Sequence, residues 1–307
     1  MVTILGAGGA IGGALVPLLA ARNEPVRLAS RHPKAVEGAA EVMRADLSNF
    51  DDALRAVSGS RIAFLLAGLK YDLKVWSEMW PRIMRNTIEA AKRSGTRLVF
   101  FDNVYMYGKV EGAMTEETPF RPSSQKGEIR AEIATMLLDE MRAGRLTALI
   151  ARAADFYGPG ARTGLPNVLI FDRFAKETNA LWLLDDSVKH SFTYTPDAAR
   201  SLALLAESET AWNQTWHVPT ANDSPTGKQL IEMAAREFGL PPRHRVFKRP
   251  MLWLAGRFYP VIRELYEMAY QYESDYVFDS SKFQKAFPFQ PTSYAEGVRV
   301  CVEAYGE

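Results

Sequence analysis

A glycine-rich stretch at the amino terminus constrains this chain more than any other feature of its sequence. Val2 to Leu5 is a short apolar run, typical of a buried strand, and the sequence GAGGAIGG follows it directly. A helical pattern resumes over residues 14–21. Where a strand breaks at glycines and enters a helix, the backbone can approach a pyrophosphate and the free N–H groups of the helix face the anion. We therefore expect a dinucleotide to bind along Gly6, Gly8, Gly9, Ala10, Ile11 and Gly12.

Residues 4–21 also form an uncharged apolar run of nearly membrane-spanning length. No Lys or Arg precedes this run, five glycines interrupt it and Pro17 lies within it, so a signal peptide or membrane anchor is disfavoured. The 307 residues carry a net charge of about +1 with both signs interspersed, which argues against nucleic acid or an anionic membrane as a partner. We expect a cytoplasmic monomer or homodimer whose partner is a small-molecule substrate.

The cysteine and histidine content narrows the chemistry. Cys301 is the single cysteine, which excludes an internal disulfide and a cysteine-based metal cluster and fits a reducing cytoplasm. The four histidines are scattered without the spacing of metal ligands. No metal is expected.

The residues after the second predicted strand indicate which dinucleotide binds. The strand over residues 25–30 ends at Ser30 and continues as Arg31-His32-Pro33-Lys34, without an acid. An acid about 20 residues past the glycine turn accepts the ribose hydroxyls of NAD but repels the 2′-phosphate of NADP. Arg31 can bind that phosphate through two N–H donors, with Ser30 donating beside it. The alternative is a solvated loop arginine; we predict NADP rather than NAD.

Strands alternate with helices through the first half of the chain. Apolar strands are predicted over residues 40–45, 61–67 and 97–101, with helices over 49–57 and 73–93 between them, the second carrying Pro81, which is able to kink it. This alternation indicates an α/β fold of the Rossmann type, a doubly wound parallel sheet covered on both faces.

Two short segments at the ends of these strands are expected to touch the cofactor. Asp46, followed by Leu47, is placed either to bind the adenine amino group or to cap the helix over 49–57, and the two roles are evenly balanced. Ala67 and Gly68 are small enough for a cofactor to pass close to the backbone.

The order of these motifs resembles the short-chain dehydrogenase/reductase superfamily, in its extended, epimerase/dehydratase-like branch. The likeness spans residues 1–200 and is weaker toward the carboxyl terminus. It implies a smaller, discontinuous α+β C-terminal lobe, and we divide the chain into an NADP-binding domain (1–155 and 185–220) and a substrate lobe (156–184 and 221–307). The motifs that carry the resemblance are the glycine turn, Asp46-Leu47, Asn86 with Glu89-Ala90-Ala91, Val104 to Gly108, Tyr157-Gly158-Pro159-Gly160, and Phe192 to Ala199.

The catalytic set departs from the one that this resemblance implies. The family uses a Tyr as acid/base, a Lys four residues later and a Ser or Thr that holds the substrate oxygen. Here Asn103 stands at the Ser/Thr position, Lys126 at the Tyr position and Arg130 at the Lys position, as in atypical members of the superfamily. We expect Arg130 to bridge to the nicotinamide ribose and Asn103 to donate to a carbonyl. The proton donor is Lys126 or one of two spare phenols, Tyr105 and Tyr107.

A competing interpretation makes Lys126 and Arg130 part of the polar face of a surface helix, together with Glu128 and Glu132. The position of these residues on the family's catalytic helix favours the catalytic interpretation.

The substrate positions depart as well. Beside Tyr157, Asp155 replaces the Asn that contacts a substrate phosphate in nucleotide-sugar enzymes, and a carboxylate repels a diphosphate. His190, largely neutral at pH 7, stands where those enzymes often carry an Arg. Asp155 is therefore either a structural acid or a contact to a substrate hydroxyl.

Aromatic residues over 251–272, with three tryptophans elsewhere, are either core or the wall of an apolar pocket. The leading hypothesis is an NADP-dependent oxidoreductase that reduces a carbonyl or an activated double bond of a small, largely apolar substrate. The alternatives are a non-catalytic NADP-binding redox sensor and a nucleotide-sugar epimerase or dehydratase. The tryptophans are Trp76, Trp80 and Trp182.

Overall fold

A computed structural model of the protein describes residues 1–6 and 8–306. Ala7, inside the predicted glycine turn, lies outside the described residues. The central feature is a seven-stranded sheet whose strands are β1 (Val2–Leu5), β2 (Val26–Ser30), β3 (Ala39–Arg44), β4 (Ile62–Leu65), β5 (Arg97–Asp102), β7 (Ala148–Arg152) and β11 (Thr215–His217). All neighbouring strands are parallel, in the order β11-β7-β5-β4-β1-β2-β3.

Three two-stranded parallel pairs lie outside this sheet. Their strands are β6 (Ala113–Met114), β8 (Asp155–Tyr157), β9 (Ala180–Leu183), β10 (Phe192–Tyr194), β12 (His244–Phe247) and β13 (Val277–Phe278). Strand β10 pairs with β8, β12 with β9, and β13 with β6.

The helices follow in chain order. They are α1 (Ala10–Ala20), α2 (Phe50–Val57), α3 (Leu73–Ser94), α4 (Gln125–Arg142), α5 (Asp172–Phe174), α6 (Thr195–Glu207), α7 (Gly227–Glu237), α8 (Arg249–Gly256), α9 (Pro260–Met268), α10 (Ser281–Ala286) and α11 (Tyr294–Glu303). Four short helical segments complete the list: Tyr105–Tyr107, Asn167–Phe171, Glu209–Ala211 and Ala269–Tyr272.

The two faces of the sheet are covered by different helices. Val2 and Ile4 of β1 belong to a buried cluster with side chains of α1 and α6, whereas Leu5 belongs to a second cluster with side chains of α2, α3 and α4. Side chains alternate between the faces of a strand, so a strand covered on both faces buries every side chain. The one polar residue of β1, Thr3, donates its hydroxyl to the carbonyl oxygen of Ala56. The predicted doubly wound α/β fold is confirmed.

One prediction about local structure was wrong, and one of two open alternatives is excluded. Helix α1 begins at Ala10, four residues before the predicted start, because the chain turns helical immediately after Gly9. Asp46 does not cap α2: the cap is Asn49, whose side chain accepts a hydrogen bond from the Asp52 N–H.

A third cluster of buried side chains lies away from the sheet. It includes Tyr157, Trp182 and Phe192 together with side chains of α7 and α11. None of the helices formed by residues 1–6 and 8–306 combines the length and the apolar character that crossing a bilayer requires. The proposed division into two domains stays a prediction.

Candidate functional site

The candidate site lies at the carboxyl edge of the central sheet. Gly6 follows β1, Ala67 and Gly68 follow β4, Asn103 follows β5 and the segment before Asp155 follows β7. Neighbouring parallel strands end on the same side, and ligands of open α/β sheets bind outside these ends. The sheet therefore brings together four of the segments that the sequence singled out.

The glycine turn has the shape of an anion site. Gly6 has φ +90°, and a Cβ added there would lie 2.3 Å from the Cα of Ala67, so only glycine fits against the neighbouring strand end. A Cβ added at Gly8 or Gly9 would meet no atom within 4 Å. Gly9 precedes α1 without a side-chain cap, so the first N–H groups of the helix, starting at Ala10 and Ile11, have no side-chain acceptor. Open space beside uncapped donors fits a pyrophosphate.

The residues that follow β2 and β3 have different surroundings. Ser30 is half-buried and Arg31 is exposed. Asp46 accepts hydrogen bonds from the backbone N–H and the hydroxyl of Ser48, at 3.0 and 2.8 Å, and Leu47 O accepts one from Asn86 Nδ2 at 3.0 Å. Asp46 thus closes a local turn. The cofactor contacts expected of these residues stay predictions.

Buried charges lie directly behind the edge. Asp102, at the end of β5, accepts hydrogen bonds from Arg130 and lies 3.5 Å from the Nε of Arg152. All three side chains are nearly inaccessible to solvent. The guanidinium of Arg130 also lies over the ring of Trp80, at 4.6 Å from its centroid. Arg130 is thus bound to Asp102 in this structure, and its predicted contact with a nicotinamide ribose stays a prediction.

Tyr107 is not a spare phenol. Its hydroxyl accepts a hydrogen bond from Arg152 and lies 2.8 Å from His217 Nε2, while His217 Nδ1 lies 2.8 Å from the carbonyl oxygen of Asp279. Nδ1 must therefore carry the proton, and Nε2 accepts the one from Tyr107. Burial lowers the pKa of His217 to about 3 and raises the pKa of Tyr107 to about 12. Both groups are neutral at pH 7.

Lys126 is fully buried between two acids of helix α9. Its Nζ lies 2.5 Å from Glu264 Oε2 and 2.9 Å from Glu267 Oε2, and its backbone N–H donates to Glu267 Oε1. Glu264 also accepts from the N–H of Leu73, the first residue of α3. The two carboxylates thus lie at the amino ends of α3 and α4, where the helix dipole stabilises negative charge, and share one ammonium. This cluster ties α9 to the sheet domain.

The surface-helix interpretation of α4 was wrong for two of its four residues. Lys126 and Arg130 are buried, whereas Glu128 and Glu132 are exposed. The function of Lys126 as a proton donor stays a prediction, and in this structure its three N–H donors face carboxylates and a backbone carbonyl.

Asn103 and Tyr105 follow β5 and lie in a tight turn. The side-chain oxygen of Asn103 accepts from the N–H of Tyr105 at 3.1 Å, and both side chains are half-buried. The Tyr105 ring stacks on Trp76 at 6.3 Å. Burial and the neighbouring Tyr71 raise the pKa of the Tyr105 phenol well above its ordinary value. Tyr105 therefore stays protonated at neutral pH.

Asp155 and His190 form a pair at the end of β7. Asp155 Oδ2 lies 3.1 Å from His190 Nε2 and accepts a hydrogen bond from the Tyr272 hydroxyl, also at 3.1 Å. His190 Nδ1 lies 3.2 Å from the carbonyl oxygen of Gln271. Both ring nitrogens of His190 thus face oxygen atoms, one of Asp155 and one of Gln271.

Aromatic rings surround this pair. The His190 ring stacks against Tyr272 at 4.5 Å and against Tyr276 at 5.3 Å. The negative charge of Asp155 contributes to raising the pKa of Tyr71 and of Tyr272, although burial is the larger cause in each. We call Tyr71, Tyr105, Tyr272 and Tyr276 the tyrosine wall. Tyr157, by contrast, is buried in the third cluster between Tyr194 and Tyr294, and its predicted substrate contact stays a prediction.

Sequence reasoning missed the partners of these side chains. Asp102 and Arg152 are the last residues of β5 and β7, and each is a charged residue at the end of an apolar run. A charged residue in that position indicates a buried ion pair, so the sequence did contain a signal for these two. The other partners are far away in the chain and carry no local signal. They are Glu264, Glu267, His217 and Tyr272.

The profile of a protein family described as the NAD dependent epimerase/dehydratase family matches residues 2–218. No curated protein matches the sequence.

Solved structures share the fold along the whole chain. UDP-glucose 4-epimerase from Thermus thermophilus, solved with NAD, superposes with a TM-score of 0.79 at 20% identity, over 100% of this chain and 99% of that one. A double mutant of dTDP-glucose 4,6-dehydratase from Streptomyces venezuelae, solved with NAD and DAU, gives 0.81 at 18% identity, over 100% and 97%. The dTDP-glucose 4,6-dehydratase from Bacillus anthracis, solved with NAD, gives 0.82 at 13% identity, over 99% and 96%. At these identities the likeness shows the fold alone.

Proposed function

Because the chain belongs to the NAD dependent epimerase/dehydratase family, we propose that it is an oxidoreductase that uses NADP(H) to reduce a carbonyl or an activated double bond of a small, largely apolar substrate. The observation that carries this proposal is the tyrosine wall around the Asp155–His190 pair at the β7 end of the sheet edge. Aromatic rings with a few placed polar groups are typical of a pocket for an apolar ligand.

The charges beside this wall support the same conclusion. Lys126 is bound to Glu264 and Glu267, and Arg130 to Asp102. A diphosphate needs unpaired cations or helix N-termini. These side chains already have their counter-charges, so a neutral substrate suits the site better than a nucleotide sugar.

The cofactor part of the proposal rests on the glycine turn and on the end of β2. The open space at Gly8 and Gly9 and the uncapped start of α1 suit the pyrophosphate. Arg31 is exposed at the end of β2, where a 2′-phosphate is bound in this fold, and residues 30–34 contain no acid.

When bound, the nicotinamide supplies the hydride. The chain's own task is to hold the substrate oxygen and give it a proton. Of the three donors that the sequence offered, Lys126 is enclosed by acids and Tyr107 donates to His217, which leaves Tyr105. Its phenol stays protonated at pH 7 and donates a hydrogen bond to the oxygen as negative charge develops, and an alkoxide is basic enough to take the proton. Asn103 lies in the same turn, and its side-chain oxygen positions Tyr105 by accepting a hydrogen bond from the Tyr105 backbone N–H.

The test is NADPH consumption with a panel of aldehydes, ketones and enones. We expect turnover with an apolar member of the panel, and Tyr105→Phe should lower kcat by about 100-fold, the scale of one general acid, while NADPH affinity is unchanged. Tyr305→Phe, at an exposed tyrosine near the carboxyl terminus and outside the site, is the matched control and should leave kcat unchanged. Tight NADPH binding with no turnover on any substrate would point to a redox sensor instead.

Cofactor choice has separate variants. Arg31→Ala should weaken NADPH at least tenfold more than NADH, since it removes a charge-assisted contact to the 2′-phosphate alone. Arg142→Ala removes an arginine from the exposed end of α4 and should change neither affinity. Gly8→Ala should keep the melting temperature, because its Cβ meets open space, but weaken both cofactors by filling the pyrophosphate groove. An equal loss for NADPH and NADH in Arg31→Ala contradicts the NADP assignment.

A second candidate is a nucleotide-sugar epimerase or dehydratase, which the family membership favours. It predicts that uridine or deoxythymidine diphosphate stabilises the protein against heat, by an amount that grows with concentration. The Asp155–His190 pair at the position of a phosphate-binding residue weighs against it. A thermal shift with either diphosphate, and no NADPH consumption with the carbonyl panel, would replace the leading proposal with this one.

A further inference from the structure

Helices α8 and α9 present an apolar surface to solvent. Phe258 is 74% exposed and Trp253 is 55% exposed. Large aromatic side chains at this exposure are uncommon, and a group of them marks an interaction site. We define the α8–α9 surface as Met251, Trp253, Leu254, Phe258, Tyr259 and Val261, all of which are exposed.

The residues of this surface lie on α8, in the turn that follows it and at the start of α9. Met251 and Leu254 lie three positions apart on one face of α8, whereas Phe258 and Tyr259 lie between the two helices. Leu252 and Gly256 are buried, and a Cβ added at Gly256 would lie 3.2 Å from the Cα of Arg263 in α9. The helices therefore pack closely at Gly256, while the aromatic side chains before and after this contact stay exposed.

The charge of the same segment is strongly one-sided. Residues 243–263 contain six Lys or Arg and no Asp or Glu, in a chain whose total net charge is about +1. Arg243, Arg245, Arg257 and Arg263 are exposed, and among the described residues none of the four has an ion-pair partner. Arg257 lies over the ring of Trp253, at 5.5 Å from its centroid.

We propose that the α8–α9 surface docks onto an anionic lipid surface, with its aromatic side chains in the headgroup region and its arginines on the lipid phosphates. Exposed aromatic and aliphatic side chains with Lys and Arg around them are typical of a segment that lies in a membrane interface without crossing it. Each Lys or Arg near an anionic bilayer adds to the attraction. This proposal departs from the sequence-based expectation of no membrane, because that expectation used the net charge of the whole chain rather than that of one segment.

A second copy of the chain fits this surface less well. Two copies that met face to face through the same patch would bring their arginines together, with no acid in residues 243–263 of either copy to pair with them. Like charges at close range oppose association. An anionic lipid surface offers both the apolar phase and the counter-charge.

The docking site is joined to the candidate active site through α9. The same helix that carries Val261 and Arg263 on its exposed side carries Glu264 and Glu267, which hold Lys126. Docking would therefore place the rim of the tyrosine wall near the lipid. The docking proposal itself does not depend on the reaction proposed above.

The test is flotation of the full chain with vesicles of phosphatidylcholine alone or mixed with phosphatidylglycerol. We expect the chain to float with the mixed vesicles and not with phosphatidylcholine alone, and the fraction bound to fall as NaCl is raised. Trp253 is the exposed tryptophan among otherwise buried ones, so the fluorescence of the protein should shift to shorter wavelength on binding.

Matched variants locate the contact. Trp253→Ser combined with Phe258→Ser should weaken binding by at least tenfold, the scale of losing one buried aromatic side chain. Arg257→Gln combined with Arg263→Gln should weaken it about thirtyfold. Val42→Ser and Arg142→Gln, an exposed apolar residue and an exposed arginine elsewhere, should leave binding unchanged.

Several outcomes would overturn the proposal. These are no flotation with the mixed vesicles, equal flotation with the neutral ones, or full binding by the Trp253/Phe258 variant. Size-exclusion chromatography without lipid tests whether a second copy of the chain occupies this surface instead. If the chain is a dimer that the Trp253/Phe258 variant converts to a monomer, the surface is an interface between copies.

Discussion

Removing the buried ammonium of Lys126 should destabilise the protein strongly. In Lys126→Met, Glu264 and Glu267 lose the one cation that lies between them, at 2.5 and 2.9 Å. Breaking a buried ion pair from one side costs about 3–5 kcal/mol, because the remaining charge is left without a partner. The carboxylates keep the N–H groups of Leu73 and of residue 126 and are 12% and 22% exposed, which places the expected loss near the lower figure, at about 3 kcal/mol.

The loss should be recoverable without restoring the lysine. The triple variant Lys126→Met, Glu264→Gln, Glu267→Gln has no buried charge at this position, and its amides can still accept from the two backbone N–H groups. Replacing a whole buried ionic group is often close to neutral for stability. We expect the free energy of unfolding of the triple variant to lie within about 1 kcal/mol of that of the wild-type protein.

Urea unfolding followed by circular dichroism measures these differences. The urea midpoint of Lys126→Met should fall by about 1 M, because a loss of about 3 kcal/mol is divided by a denaturant slope of about 3 kcal/mol/M. Lys70→Met removes a 78% exposed lysine near Asp72 and should change the midpoint very little. An unchanged midpoint in Lys126→Met, or no recovery in the triple variant, refutes the charge argument. If the triple variant is stable but turns over no substrate that the wild-type protein reduces, Lys126 is a catalytic residue after all.

Three further predictions concern stability. Burial lowers the pKa of His217 to about 3, so below about pH 6.5 the unfolded chain binds a proton that the folded chain does not. The stability that this difference contributes is full above pH 6.5 and falls toward pH 3, by at most about 1.4 kcal/mol per pH unit. Urea midpoints of His217→Gln should therefore fall less steeply over this pH range than those of the wild-type protein. Gly6→Ala should lower the melting temperature severely, because the Cβ added at Gly6 would collide with the backbone of Ala67. Gly8→Ala should not, because the Cβ added there meets open space. Gly297→Ala should also be destabilising in thermal melts, because its Cβ would lie 2.3 Å from the Tyr157 hydroxyl oxygen, and Tyr157→Phe in the same chain should recover part of the loss.

Most of the sheet was predictable from the sequence, because a buried parallel strand is visible locally as an apolar run. Strands β1 to β5 were predicted, whereas β7 and β11 were not. Val2–Leu5 was predicted with the bounds that the structure has, since an apolar run that ends at glycine leaves little choice. The start of α1 was missed because Ala10 and Ile11 follow glycines that resemble a continuing turn. The cap of α2 was missed because Asp46 and Asn49 both suit a cap, and only the Asn49 contact to Asp52 distinguishes them.

The side-chain partners of the candidate site were beyond the reach of sequence patterns. Lys126 and Arg130 were identified by position, but whether they face solvent depends on acids in other elements. Glu264 and Glu267 lie 138 and 141 residues further along the chain, and His217 lies 110 residues from Tyr107. Periodicity indicates which face of a helix is apolar. It carries no information about a charged residue that lies so far away along the chain.

The charge balance at the sheet edge now favours one class of substrate over another. Three buried cations lie behind the edge, Lys126, Arg130 and Arg152, and three carboxylates, Asp102, Glu264 and Glu267, lie against them. The fourth acid, Asp155, lies 3.1 Å from His190 Nε2. Lys126, Arg130 and Arg152 each already have a carboxylate partner, although Arg130 and Arg152 share Asp102. A diphosphate entering this site would have to break one of these buried pairs to gain a cation. The proposed substrate, a neutral carbonyl compound, needs only a hydrogen-bond donor and aromatic contact, and we propose that Tyr105 and the other rings of the tyrosine wall supply both.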